Sequence, residues 1–283
     1  MNTDALGEAL PLAHARAPQP GEAAPLIQAL SAPLTSGPSA ALGERLRLRV
    51  AASHAAQAGL LTRRRPQSAA AQSWGAGLRA WPLREQSWVV ELDPLAVLSL
   101  AQPGDNALEL LVLAGQGQFG TDADAQALRA SHHLLLTESQ APLLQAGATG
   151  LRLYLRRHGP QGPFRAPQQA QVQAPQAWQP LRPGVEICPL HAEGQAISLL
   201  ARLDSGGRVP AHPHGVDEEC LMVEGELFLG DLLLREGEYQ FAPAGSQHGE
   251  LFADAPCLLF FHGAIDAAAI DNPYRQAQGW PPL

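Results

Sequence analysis

The sequence predicts an all-β protein of two tandem jelly-roll barrels, preceded by a short helix and an irregular N-terminus. Three observations carry this expectation. First, from about Trp74 the chain becomes a series of short apolar runs, such as "LELLVLAGQGQF" and "ECLMVEGELFLG", parted by Gly, Pro and Asp turns. Many short strands at such spacing indicate a sandwich or barrel. Second, the runs repeat: "AVLSLAQPGD" resembles "AISLLARLDSGG", "LLVLAGQGQF" resembles "CLMVEGELFL", and "LRLYLRRHG" resembles "CLLFFHG". Third, a Pro- and Gln-rich stretch, "GPQGPFRAPQQAQVQAPQ", lies between the two copies as a linker would.

Taken in order, residues 1–40 are rich in Ala, Pro and Gly without apolar period and are expected to be irregular or disordered. Residues 41–74 hold an amphipathic helix, with Leu42, Leu46 and Val50 at spacing four and Gly59 near its end, followed by a linker in which Arg63-Arg64-Arg65 is solvated. Residues 75–160 form a degenerate first barrel without metal ligands, in which Gly115-Gln116-Gly117 is a hairpin turn and His132-His133 lie on the surface. Residues 161–174 are the linker, 175–268 a metal-binding barrel, and 269–283 a C-terminal tail. Tyr239, Phe241 and Phe228 are expected in the core of the second barrel, and His262 at its rim.

Composition narrows the chemistry. The chain has 283 residues and a formal charge of −8, and all 19 basic residues are arginine. A Schiff-base or phosphate-cradling lysine is therefore excluded, and the acidic balance argues against direct nucleic-acid binding. The three cysteines form no CxxC pair, which suits a reducing compartment. The N-terminus lacks the basic start and apolar core of a signal peptide, and no run reaches the roughly 20 apolar residues of a membrane span. A cytoplasmic protein without membrane contact is expected. No Gly-rich phosphate loop, nucleophile elbow or paired catalytic carboxylates stand out.

The most informative stretch is "RVPAHPHGVDEEC", Arg208 to Cys220. Residues at i and i+2 of a strand share a face, so His212 and His214 project together, Glu218 keeps their parity, and Glu219 points away. Antiparallel pairing through the following hairpins brings His248, after the Pro243-Ala244-Gly245 bend, beside them. Three imidazoles and a carboxylate suit one first-row divalent ion: zinc, iron, manganese, nickel or cobalt. Cys220 shares the parity of Glu218 and is a candidate neighbour behind the ligands. The first copy lacks this device: Gly104 to Gly115 spans 11 positions where Gly206 to Gly225 spans 19, and the missing eight fall at the histidines. Leu144 stands where His248 would be.

These residues resemble a known family. Gly206-x5-His212-x-His214-x3-Glu218-x6-Gly225 is similar to the first cupin motif, and Gly237-x5-Pro243-x-Gly245-x2-His248 to the start of the second; Phe252 stands where the second motif usually closes with Asn. "ERLRLRVAAS", "LTRRRP", "WQPLRPGVEICPL" and "EECLMVEGEL" resemble the ChrR-like cupins, whose best-known members are zinc-binding anti-sigma factors. The resemblance implies a cupin site of His212, His214, Glu218 and His248, with zinc the leading metal. It also implies a sigma factor or other regulatory protein as partner, with a small-molecule ligand or homo-oligomer allowed. The group's N-terminal zinc-binding anti-sigma motif is lacking, because no cysteine precedes Cys188. Two functions remain open: a regulatory or sensing metalloprotein, and a metal-dependent cupin enzyme, most plausibly an Fe(II) dioxygenase. No catalytic residue is assigned.

Overall fold

The computed structural model of the chain describes residues 39–64, 66–99, 106–120, 125–138 and 143–283. The irregular segment expected over 1–40 lies outside them except for its last two residues. The described residues are mostly strand, and none of their helices is long and apolar enough to cross a membrane.

The first helix, Ala40–Ala56, is rich in Ala, Leu and Arg, all strong helix formers, and the Ser39 hydroxyl accepts from the Leu42 backbone N–H. Gly59, at φ +85°, lies just beyond its end. It does not present the apolar face that its spacing suggested. Leu46, Leu48 and Val50 are 51%, 62% and 54% exposed, and Arg47 and Arg49 alternate with them around the axis.

Two β-rich halves follow. In the first, a nine-stranded sheet is centred on two long antiparallel strands, Ala107–Phe119 and Leu143–His158. Glycines make their close approach workable: a Cβ at Gly115 or Gly117 would strike the Gly150 or Gln145 carbonyl. The Gly115-Gln116-Gly117 segment is thus a bulge inside a strand rather than the expected hairpin turn. In the second half, a seven-stranded sheet runs in the order Leu61–Arg63, Tyr239–Ala242, Glu218–Glu224, Cys257–Gly263, Ala196–Leu203, Val185–Glu193, Gln179–Arg182. A four-stranded sheet, Arg208–Val209, Leu251–Phe252, Glu226–Leu229 and Leu232–Arg235, faces it across a core that includes Leu199, Met222, Leu227, Leu234 and Leu259.

The two large sheets pack back to back. Along Ala107–Phe119, Leu108, Leu110 and Val112 enter the core of the first half, while Leu111 enters a separate seam with Val89, Tyr154, Leu200, Leu221 and Phe260. A polar knot sits in this seam. The buried Glu219 carboxylate accepts from Tyr154 Oη (2.7 Å), Ser87 Oγ (3.1 Å) and Arg84 Nη1 (3.2 Å), and lies 3.0 Å from Arg156 Nη1. All four partners come from the first half. Burial pushes the Glu219 carboxyl up, but the Arg156 charge and the hydrogen bonds outweigh it and hold it below the usual carboxylate range. Arg84 also stacks its guanidinium 3.6 Å over the Phe241 ring.

Several segments expected to be loose are tied down. Leu61–Arg63 pairs with Tyr239–Ala242, Arg63 Nε donates to the Leu83 carbonyl, and Arg64 binds the buried Glu238 at 2.8 Å. In the stretch read as a linker, Gln171–Gln173 pairs with His133–Thr137 and Phe164 is buried. The C-terminal stretch carries a second helix, Asn272–Ala277, capped by Asp271, whose Arg275 is fully buried and donates to the Pro180 and Pro281 carbonyls. Tyr239 is in the core as expected, whereas Phe241 and Phe228 are half-buried. His133 and His262, expected at the surface and at a rim, are both buried in the seam, because the strands that carry them have a second buried face.

Removing one member of a buried ion pair strands the other charge at a cost of roughly 3–5 kcal/mol. Glu219→Ala is therefore expected to destabilise the protein by an amount of that order, while leaving any metal bound by the second half in place. Equilibrium unfolding followed by tryptophan fluorescence measures the first, and metal content the second.

Candidate metal centre

The strand positions of the four predicted ligands follow from backbone pairing. His212 and His248 are direct partners in the short antiparallel pair His212–Pro213 and Gln247–His248. The pair is extended by hydrogen bonds from the His214 N–H to the Ser246 carbonyl and from the Gly245 N–H, at φ +81°, to the His214 carbonyl. Glu218 opens the strand Glu218–Glu224, opposite Ala242. The strand does not run unbroken from His212 to Glu218, since a bend at Gly215–Val216 intervenes, yet Glu218 still faces the histidines.

The four side chains converge. The ring centroids of His212 and His214 each lie 4.6 Å from that of His248, and 5.6 Å from one another. Glu218 Oε1 is 3.3 Å from His248 Nε2 and 3.6 Å from His214 Nε2. One donor atom from each residue falls within 4.8 Å of all the others, and all four residues are buried. This group could hold a metal ion.

The outer ring nitrogens point to the same conclusion. His212 Nδ1 donates to the Pro210 carbonyl (2.8 Å) and His248 Nδ1 to the Gly249 carbonyl (2.9 Å). His214 Nδ1 lies 2.9 Å from Ser246 Oγ, whose own hydrogen goes to the Pro243 carbonyl, so the imidazole must donate. With each Nδ1 carrying a proton, each Nε2 faces inward, where a neutral ring offers the lone pair a metal requires; without metal, His248 Nε2 donates to Glu218 Oε1 at 3.3 Å, and an ion would replace that proton. His214 Nε2 is buried and has no hydrogen-bond partner. A cation is the species that satisfies three inward lone pairs and a carboxylate together.

Burial pushes the His214 imidazole down, toward the neutral form, whereas at His248 burial is outweighed by the Glu218 hydrogen bond and charge, which push the imidazole up. Burial pushes the Glu218 carboxyl up, but the His248 hydrogen bond and the surrounding imidazoles outweigh it and leave the carboxyl below its usual range. Cys220 lies behind this carboxylate, its Sγ 3.7 Å from Glu218 Oε1. Burial pushes its thiol well above the ordinary value, with the Glu218 charge adding, so it donates to Glu218 as a thiol and is not a thiolate ligand. Glu219 faces the seam, away from the centre.

In the first half, Leu144 is buried in the apolar core. Among the described residues the other group with metal-ligand geometry is Glu109, His158 and His262, in the seam. Sequence reasoning missed Ser246, although it stands inside the second motif. Its role shows only once the strand pairing brings it to His214.

Residues 168–266 match the family model of the ChrR Cupin-like domain. The cupin-like domain so defined contains all four candidate ligands and the whole seven-residue strand that begins at Glu218. No curated protein matches the chain. Among solved structures, protein Ylba from E. coli is similar at 13% identity, with a TM-score of 0.55 over 74% of this chain and 93% of that one. The putative glyoxylate-induced protein from Pseudomonas aeruginosa is similar at 15% identity (TM-score 0.53, 67% and 80%). The oxalate decarboxylase of Lactobacillus farciminis, in its formate complex, is similar at 12% (TM-score 0.52, 72% and 86%). At these identities the likeness is one of fold.

Three substitutions separate the candidate ligands from their support. His248→Ala or Glu218→Ala is expected to abolish tight binding at this centre. Ser246→Ala, which frees His214 Nδ1 but keeps all four donors, is expected to weaken it by about tenfold or more. Competition against a chromophoric chelator reads both.

Proposed function

We propose that His212, His214, Glu218 and His248 hold one zinc ion, and that the protein is a cytoplasmic regulatory or sensing metalloprotein of ChrR-like type. The observation that carries this reading is the closed donor set. Three imidazoles whose Nδ1 atoms are held by outer partners, and one carboxylate, all buried, would supply the four protein ligands of a closed zinc shell. Closed four-ligand shells are the habit of structural and regulatory zinc. The match of the domain to the ChrR Cupin-like model supports the regulatory side.

Zinc at this position supplies fixed charge and no redox chemistry. The chain's own residues supply the transmission. Asp217, next to Glu218, accepts from the Ala244 N–H (3.0 Å) with one oxygen and pairs with Arg84 of the first half (3.3 Å) with the other. Glu219, on the other side of Glu218, anchors the seam. Order at Glu218 is therefore order at both links between the halves. The partner in this reading is a sigma factor or another regulatory protein. The exposed apolar side chains of the first helix, Leu46, Leu48 and Val50, set among arginines, are the contacts this reading assigns to it.

Protein purified without added metal is expected to carry mainly zinc at this centre, and to pull down a sigma factor in a complex that weakens when Leu46 and Leu48 are replaced by Ser. Anaerobic Fe²⁺ loading is expected to give no sustained O₂ uptake with a panel of small diketones, phenols and thiols. Iron-dependent O₂ consumption that disappears in His248→Ala would instead identify an Fe(II) dioxygenase and overturn the regulatory reading.

A further inference from the structure

The seam contains a second polar knot, about which the closed centre says nothing. Glu109 sits in the apolar run "LELLVL" and is fully buried. Its Oε1 is 2.9 Å from His133 Nε2. Its Oε2 is 2.9 Å from His158 Nε2 and 3.5 Å from His262 Nδ1. Glu109, His133 and His158 come from the first half, and His262 from the second. Ser198 Oγ, also of the second half, is 2.8 Å from His262 Nδ1. Phe164 seals the knot, with its ring 4.9 Å from both the His158 and His262 rings.

Three features distinguish this knot from an ordinary buried hydrogen-bond network. First, the groups in contact with the Glu109 carboxylate are imidazoles, while the guanidinium of the neighbouring Arg156 is committed to Glu219 at 3.0 Å. An isolated buried carboxylate is costly without a full countercharge. Second, the spacing suits a shared ion. Donors about 2.0–2.2 Å from a tetrahedral or octahedral first-row ion stand roughly 2.9–3.5 Å apart, and Glu109 Oε2 has its two nitrogens at 2.9 and 3.5 Å. One donor atom from each of Glu109, His158 and His262 lies within 4.8 Å of the others. Third, there is an approach. A cavity of about 490 Å³, lined by Arg156, Glu193, Gln195, Asp217 and His262, touches the knot at His262.

We propose that Glu109, His158 and His262 form a second divalent-metal site that joins the two halves, with His133 orienting the Glu109 carboxylate. Two imidazoles and a carboxylate are a three-ligand set suited to Zn²⁺, Co²⁺ or Fe²⁺. With three protein donors the set is one short of a four-ligand shell, and the cavity beside His262 is the side from which a solvent molecule or small anion would enter. The sequence led to one metal per chain; the seam raises that to two.

Cobalt is the probe, because its visible absorption reports each site separately. The full-length protein, stripped with chelator and titrated with Co²⁺, is expected to bind two equivalents. His248→Ala should retain one, with the spectrum of the seam site alone. Glu109→Gln, which keeps the shape but removes the charge, should also retain one, with the complementary spectrum; His158→Gln is the second variant if Glu109→Gln does not fold. The proposal is overturned if folded His248→Ala binds no cobalt, or if Glu109→Gln and His158→Gln leave the stoichiometry unchanged. A single equivalent lost with Glu109→Gln but kept in His248→Ala would uphold the seam site and refute the closed centre.

Discussion

A carboxylate buried between two sheets, that of Glu219, governs the architecture. It cannot stay there ionised without countercharge, and the first half supplies it through Arg84, Arg156, Ser87 and Tyr154. Because neighbours on a strand face opposite ways, fixing Glu219 in the seam fixes Glu218 toward the interior of the second half. Because Asp217 bonds both Arg84 and the Ala244 backbone, the bend before the strand is fixed as well. The candidate metal centre and the contact between halves thus meet at three consecutive acidic residues, each aimed differently.

The candidate centre was legible because its chemistry is local. His212, His214 and Glu218 lie within seven residues; alternation aims the two histidines together, and Glu218 keeps their side across the bend at Gly215–Val216. His248 reaches His212 only after the intervening hairpins. The seam was not legible, for a physical reason. Alternation identifies a buried face only when the other face is wet, and the central strands here are covered on both sides. Glu109 in "LELLVL" looks like a polar residue facing water, and His262 in "CLLFFHG" looks like a strand end. In the fold both point into a second sheet. The same gap hid Gly115 and Gly117, whose reason is the approach of a strand some 30 positions further on, and the strand within the Pro- and Gln-rich stretch, which finds its partner at His133–Thr137.

The two polar clusters also share a scaffold. Glu219 and His262 are cross-strand partners on the neighbouring strands Glu218–Glu224 and Cys257–Gly263. Glu218, one residue before Glu219, belongs to the candidate metal centre, and His262, the cross-strand partner of Glu219, belongs to the seam knot. Strands packed on both faces have little freedom to slide, since a shift of one position would exchange their two faces. Charge at either cluster is therefore felt at the other through a stiff, short path.

The seam does the work that a homodimer interface does in a single-barrel protein, but within one chain. A covalent connection makes its strength independent of protein concentration, because the partner surface is always present at high effective concentration. It also releases the two surfaces from self-complementarity. A twofold dimer must offer the same patch on each side, whereas here one face can specialise in arginine and the other in acid. The first half is in that sense a permanent escort that keeps Leu200, Leu221 and Phe260 covered. Cut away from it, the second half would expose an oily sheet studded with an uncompensated charge, and would be expected to seek another copy of itself.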